Sequence, residues 1–185
     1  MKRVVIFQGQ YGFFPVHNLS LSMPAIQTCI GVYGFSNNNH FLMAAHFDTD
    51  KCLRENVDNI LKGSFKTTGV HLGDFSVNVF GGDGILSYLR CSTPTTYIGE
   101  AIIQELMRRG VENVRYDTEH YSGITGRTYN LRYLTGKGLT ITCGQHPADF
   151  AGANNIAANK ARARIKKRPQ EYSNDDARMY DVSDL

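Results

Sequence analysis

Two apolar segments, "TCIGVYGF" and "HFLMAAHF", flank the polar run Asn37, Asn38 and Asn39. Each is short and strand-like, and three consecutive asparagines favour a turn, so the pair reads as a hairpin or as neighbouring strands. An excursion of this kind brings Cys29, near its start, towards His46, near its end.

An amphipathic stretch follows at once. In "DTDKCLRENVDNILKG" the spacing of Leu53, Val57, Ile60 and Leu61 predicts a helix, with Asp48 or Asp50 as its cap and Gly63 as its stop. A second helix is predicted in "TPTTYIGEAIIQELMRRG", where Thr93 caps, Pro94 takes the first helical position and Gly110 ends the run. Its inward face is Ile98, Ile102, Ile103 and Leu106. Further strands are expected in "RVVIF", "FSVNVF", "NVRYDTEHY", "TYNLRYLT" and "GLTITC". Strands and helices do not alternate as in a doubly wound sheet. The predicted class is therefore α+β, a β-sandwich of two packed mixed sheets flanked by helices.

The 185 residues fit one domain with an extension. Residues 1–147 form the expected domain, and residues 148–185 read as a basic then acidic C-terminal extension, a helix with a basic face followed by a polar tail. Six basic residues fall within "KARARIKKR". A solvated surface is the commoner meaning of such a block, and nucleic acid is not an expected partner. The opening "MKRVVIF" has too short an apolar run for a signal peptide or a membrane span, and no other stretch reaches span length. The expected location is the cytoplasm, or outside the cell by an export route that needs no readable signal peptide.

Cys29, Cys52, Cys91 and Cys143 are widely spaced and contain no CxxC pair, which fits reduced thiols without a zinc clamp. A cysteine in an apolar strand is usually a small packed hydrophobe. A nucleophile needs a base, oxyanion donors and access. His46, at the entrance to a helix, is the better base, whereas His40 lies nearer the hairpin tip and should be exposed. The pair Cys143 and His146 in "CGQH" ranks lower, Cys91 has no adjacent histidine, and Cys52 is expected to pack within a helix. The glycines of "FGGDG" and "HYSGITGRT" match no phosphate-binding pattern and read as turns.

Several segments, in order, resemble the chemoreceptor glutamine deamidases of the CheD family, which share a fold and a Cys-His site with the catalytic domain of the cytotoxic necrotizing factor toxins. "TCIGV" is similar to the family's nucleophile strand and "MAAHF" to its histidine strand. "VFGGDG", "YIGEAIIQELMRRGV" and "RYDTEHYSGITGRTYNLRYLTGKGLTI" are similar to its later segments, so the likeness spans roughly residues 20 to 142.

The resemblance implies a protein glutamine deamidase in which Cys29 is the nucleophile and His46 the general base, working through a thioester without metal or organic cofactor. The implied partner is a protein bearing the target glutamine, either a host protein attacked by a toxin-like effector or a chemotaxis receptor. The family places a threonine six positions before its cysteine to help hold the histidine. Met23 stands there, which leaves Ser22 or Ser20 as candidates for the third group. "PAIQT" also replaces a glycine-rich approach to the cysteine. A binding module that keeps the fold while Cys29 merely packs is the alternative.

Overall fold

Residues 19–23 read Leu-Ser-Leu-Ser-Met, and this period of two sends Leu19, Leu21 and Met23 to one face of a strand and Ser20 and Ser22 to the other. The structure, a computed structural model, describes residues 1–26, 28–82, 95–117, 127–144, 155–167 and 171–184. Its strands are β1 (Lys2–Val5), β2 (Gln10–Pro15), β3 (Leu19–Ile26), β4 (Ile30–Ser36), β5 (Phe41–Phe47), β6 (Phe75–Gly81), β7 (Val114–Tyr116), β8 (Arg127–Leu134), β9 (Gly138–Gly144) and β10 (Tyr180–Asp181). They form a four-stranded sheet, β1-β3-β8-β9, and a six-stranded sheet, β10-β2-β5-β4-β6-β7. Both are mixed: β1 with β3, β10 with β2 and β6 with β7 are parallel, and the other neighbours are antiparallel.

The sheets pack face to face. Leu19, Leu21 and Met23 of β3 and Tyr129 and Leu131 of β8 meet Phe14, Leu42, Ala44 and Phe80 of the larger sheet. The opposite face of the six-stranded sheet carries Phe13, Val32, Met43, Val77 and Val79. Helices α1 (Leu53–Thr68) and α2 (Thr95–Arg108) cover it through Val57, Ile60, Ile98, Ile102 and Leu106. The fold is thus the α+β sandwich flanked by helices. Strands β2 and β3 escape the sequence reading for different reasons. β2 is buried on both faces and shows no alternation. β3 contains Pro24, and its register slips between Met23 and Ile26 with Ala25 at φ 57°.

The hairpin forms as expected, with β4 and β5 antiparallel and His40 exposed near its tip. The helix boundaries need correction. Asp48 and Asp50 do not cap α1: Cys52 is the residue at the N-cap, with φ 55°. Gly63 does not end it either, because the helix runs on to Thr68 and stops at left-handed Gly69. Gly63 serves close packing instead, since a Cβ there would sit 3.2 Å from the Tyr11 ring. At the end of α2, Val111 N–H donates to Leu106 and Gly110 N–H to Met107, the paired bonds that stop a helix at a glycine. Its proposed start at Thr93 and Pro94 lies outside the described residues, as do Cys91, His146 and most of "HYSGITGRT". Of "NVRYDTEHY", Val114–Tyr116 is strand.

The C-terminal extension is not simply a solvated helix and tail. Helix α3 (Asn155–Ile165) turns Ala157, Ala161 and Arg164 inward and leaves Lys160 and Arg162 outside. After the short α4 (Asn174–Ala177), β10 lies parallel to β2, and Tyr172, Ala177, Met179 and Val182 are buried. The sequence conceals this because the buried residues are separated by charged ones over segments only two to four residues long.

Candidate functional site

In the β4–β5 ladder Gly31 pairs with His46. Cys29 sits in the bend just before β4 and belongs to the core cluster of Tyr33, Leu42 and Ala44, the side on which alternation also puts position 31 and His46, so the thiol and the imidazole lie on the same side of the sheet. That side faces the four-stranded sheet, and Cys29 is part of the core cluster there that includes Tyr33, Ala44, Phe80 and Tyr129. Cys29 is 1 % exposed and His46 is 0 % exposed.

The ring of His46 is held from one end. Its Nδ1 lies 3.2 Å from the carbonyl oxygen of Ile6, just beyond β1, and this contact requires Nδ1 to carry the proton and donate. Nε2 then presents a lone pair, and among the described residues it has no hydrogen-bond partner. Burial, the largest influence, lowers the His46 pKa to about 4. The Ile6 carbonyl and Asp48 oppose that shift, and Arg164 adds to it. His46 is therefore neutral near pH 7, as expected for a base, but burial rather than a helix terminus is the cause.

On the sulfur side, Nε2 of half-buried Gln8 donates to Cys29 Sγ at 3.1 Å. Neither ring nitrogen of His46 is hydrogen-bonded to the sulfur in this arrangement. Thr28, the neighbour of Cys29, also has a buried hydroxyl without a partner among the described residues.

Ser22 is not brought to this pair. Alternation along β3 places it on the outer face of the four-stranded sheet, where its hydroxyl donates to Asn130 Oδ1 at 2.5 Å. Met23 points into the core, in the same cluster as Cys29. The Ile6 main chain takes the part of orienting His46, a role that no side-chain pattern can reveal.

Behind the pair lies an ionic network that the sequence reading also missed. Arg164 and Asp48 are both buried; Nε of Arg164 donates to both carboxylate oxygens at 2.9 Å, and Nη2 donates to Oδ1 at 2.7 Å. The remaining guanidinium donors reach the carbonyls of Asp176, Ala177 and Arg178. Tyr172 donates its hydroxyl towards Asp48 Oδ2 and the Arg164 carbonyl. Burial and then the Asp48 charge raise the Tyr172 pKa, and Cys29 contributes in the same direction, so this network lies within electrostatic range of the sulfur. Two more residues of the basic block are engaged, Lys160 over the Tyr180 ring and Lys167 with Asp176.

Among the described residues no group of three or more His, Cys, Asp or Glu side chains could hold a metal ion, and no helix is long and apolar enough to cross a membrane. No protein-family model matches the sequence, and no curated protein shows significant similarity to it.

Proposed function

We propose that the chain is a cysteine-dependent protein glutamine deamidase, with Cys29 as nucleophile and His46 as general base. The observation that carries this is the state of His46: buried, fixed through Nδ1 to Ile6, and with an Nε2 that has no partner among the described residues, on the face that carries the Cys29 thiol. A histidine kept only for packing has no need of an unmet acceptor, which costs about 1–3 kcal/mol.

In the chemistry this supports, Nε2 takes the thiol proton as sulfur attacks the glutamine side-chain carbonyl. The carbonyl electron pair moves to oxygen. As it returns, the C–N bond breaks and the imidazolium hands its proton to the departing ammonia. Water, activated by the neutral imidazole, then hydrolyses the thioester to glutamate. An imidazole with a pKa of about 4 is a weak base in the closed site, and a neighbouring thiolate raises it by supplying the opposite charge. The ion pair therefore forms as a pair. The sequence resemblance to deamidases supports the same choice of substrate, a toxin-like effector's host protein being favoured over a chemotaxis receptor by the altered approach to Cys29 and the added C-terminal segment.

The 1 % exposure of Cys29 favours a second reading, a binding module in which the thiol packs. Incubating candidate protein targets with the wild type and with Cys29→Ser distinguishes the two. A deamidase converts a glutamine with a mass gain of about one dalton and releases ammonia, and Cys29→Ser does neither. No conversion across a panel of host proteins and receptor fragments favours the module.

A further inference from the structure

The turn between β1 and β2 touches both members of the pair. Ile6 accepts from His46 Nδ1, Gly9 N–H donates to the His46 carbonyl at 2.8 Å, and between them Gln8 reaches Cys29 Sγ. A cysteine that only fills space calls for no donor. Ordering a glutamine side chain costs rotamer freedom, yet this half-buried one is directed onto a buried sulfur. An N–H donor favours thiolate over thiol, because it bonds best to the charged form. It is also well placed for the following step, since an oxygen on a carbon newly bonded to Sγ comes within reach of the same donor.

We propose that Gln8 is a catalytic donor of the Cys29 site: its side-chain amide stabilises the thiolate before attack and turns to the oxyanion afterwards. The second half of this role rests on the deamidase function proposed above, and the first half does not. During attack the thiolate pair becomes the S–C bond, and the carbonyl π pair moves to the oxygen that receives the Gln8 N–H. When that pair returns and the C–N bond breaks, the amide stays on the thioester carbonyl oxygen, and it returns to sulfur only when water adds to that carbonyl and the S–C bond breaks to give back the thiolate.

The test is the pH profile of Cys29 alkylation by iodoacetamide in the native chain, read by peptide mass spectrometry, in wild type, Gln8→Met, Gln8→Leu and Gln8→Glu. Among the described residues, the other ionisable groups around the pair are His46 on β5, Asp48 beyond its end, Arg164 and Tyr172 of the C-terminal segment, and Tyr33 and Tyr129 in the shared core. They remain in every variant. Met and Leu keep bulk but remove the donor, so the midpoint should rise by about one pH unit, a roughly ten-fold slower reaction below it, and Glu should raise it further. Uncovering the sulfur alone raises the plateau rate and, by easing desolvation of the thiolate, lowers the midpoint, the opposite direction. An unchanged midpoint in an active deamidase overturns the role of Gln8 and leaves the deamidase standing. A raised midpoint in a chain that converts no glutamine keeps the thiolate role and rejects the deamidase. A Cys29 that reacts at no pH overturns both.

Discussion

His46 faces Gly31 directly across the β4–β5 ladder, and the volume that a side chain at position 31 would need is filled by the ring of Phe80. A Cβ on Gly31 would fall 2.2 Å from Phe80 Cζ. Phe80 in turn packs on Tyr129 of the other sheet, with ring centroids 4.3 Å apart. Glycine is therefore required here for space, and the residue that occupies the space also seals the site from within.

Gly31→Ala should push Phe80 off Tyr129 and destabilise the chain by at least about 1–3 kcal/mol, the usual range for overpacking. Urea denaturation midpoints compare it with wild type. Adding Phe80→Leu should recover part of the loss.

Acid stability should report His46. An unfolded histidine titrates near pH 6.5, whereas the native ring titrates at about 4, so the unfolded chain takes up the proton first. The contribution to stability is complete above about pH 6.5 and is lost as pH falls from there towards 4, a total of about 3 kcal/mol. Denaturation curves across that window should flatten in His46→Gln, which does not titrate there. An equally steep fall in the variant would place the acid sensitivity elsewhere.

The Asp48–Arg164 pair should behave as a buried ion pair. Arg164→Met strands the Asp48 carboxylate and frees the carbonyls of residues 176–178, with an expected loss of about 3–5 kcal/mol. Asp48→Leu with Arg164→Met should be much less harmful than the single change, because no unpaired charge remains buried. Hydrogen exchange of the Tyr180 and Val182 amides, bonded to the Gly9 and Tyr11 carbonyls, should speed up most in the single variant.

The legible parts of this fold were those with a strong local signal. Asn37–Asn39 mark the hairpin, whose register puts Cys29 and His46 on one face, and the Ile98, Ile102 and Leu106 spacing marks α2 on the opposite face. What escaped was set by tertiary contacts. Gly63 reads as a stop, yet α1 runs through it to Thr68, and the glycine lets the Tyr11 ring of β2 pack close, 3.2 Å from where a Cβ would stand. Arg164 sat in a basic run like its neighbours, and only its position on the inner face of α3 separates it from them. The orienting group for His46 is a main-chain carbonyl, which leaves no mark in a sequence.

The most direct measurement is the alkylation rate of Cys29 against pH in native wild type and in His46→Ala, with Cys52 and Cys143 as internal references. A coupled thiol and imidazole should make Cys29 react below the pH at which the reference thiols do, and His46→Ala should slow it at neutral pH by ten-fold or more. A Cys29 that stays inert while the other two are labelled, or that reacts identically without the imidazole, would contradict a nucleophile at this position.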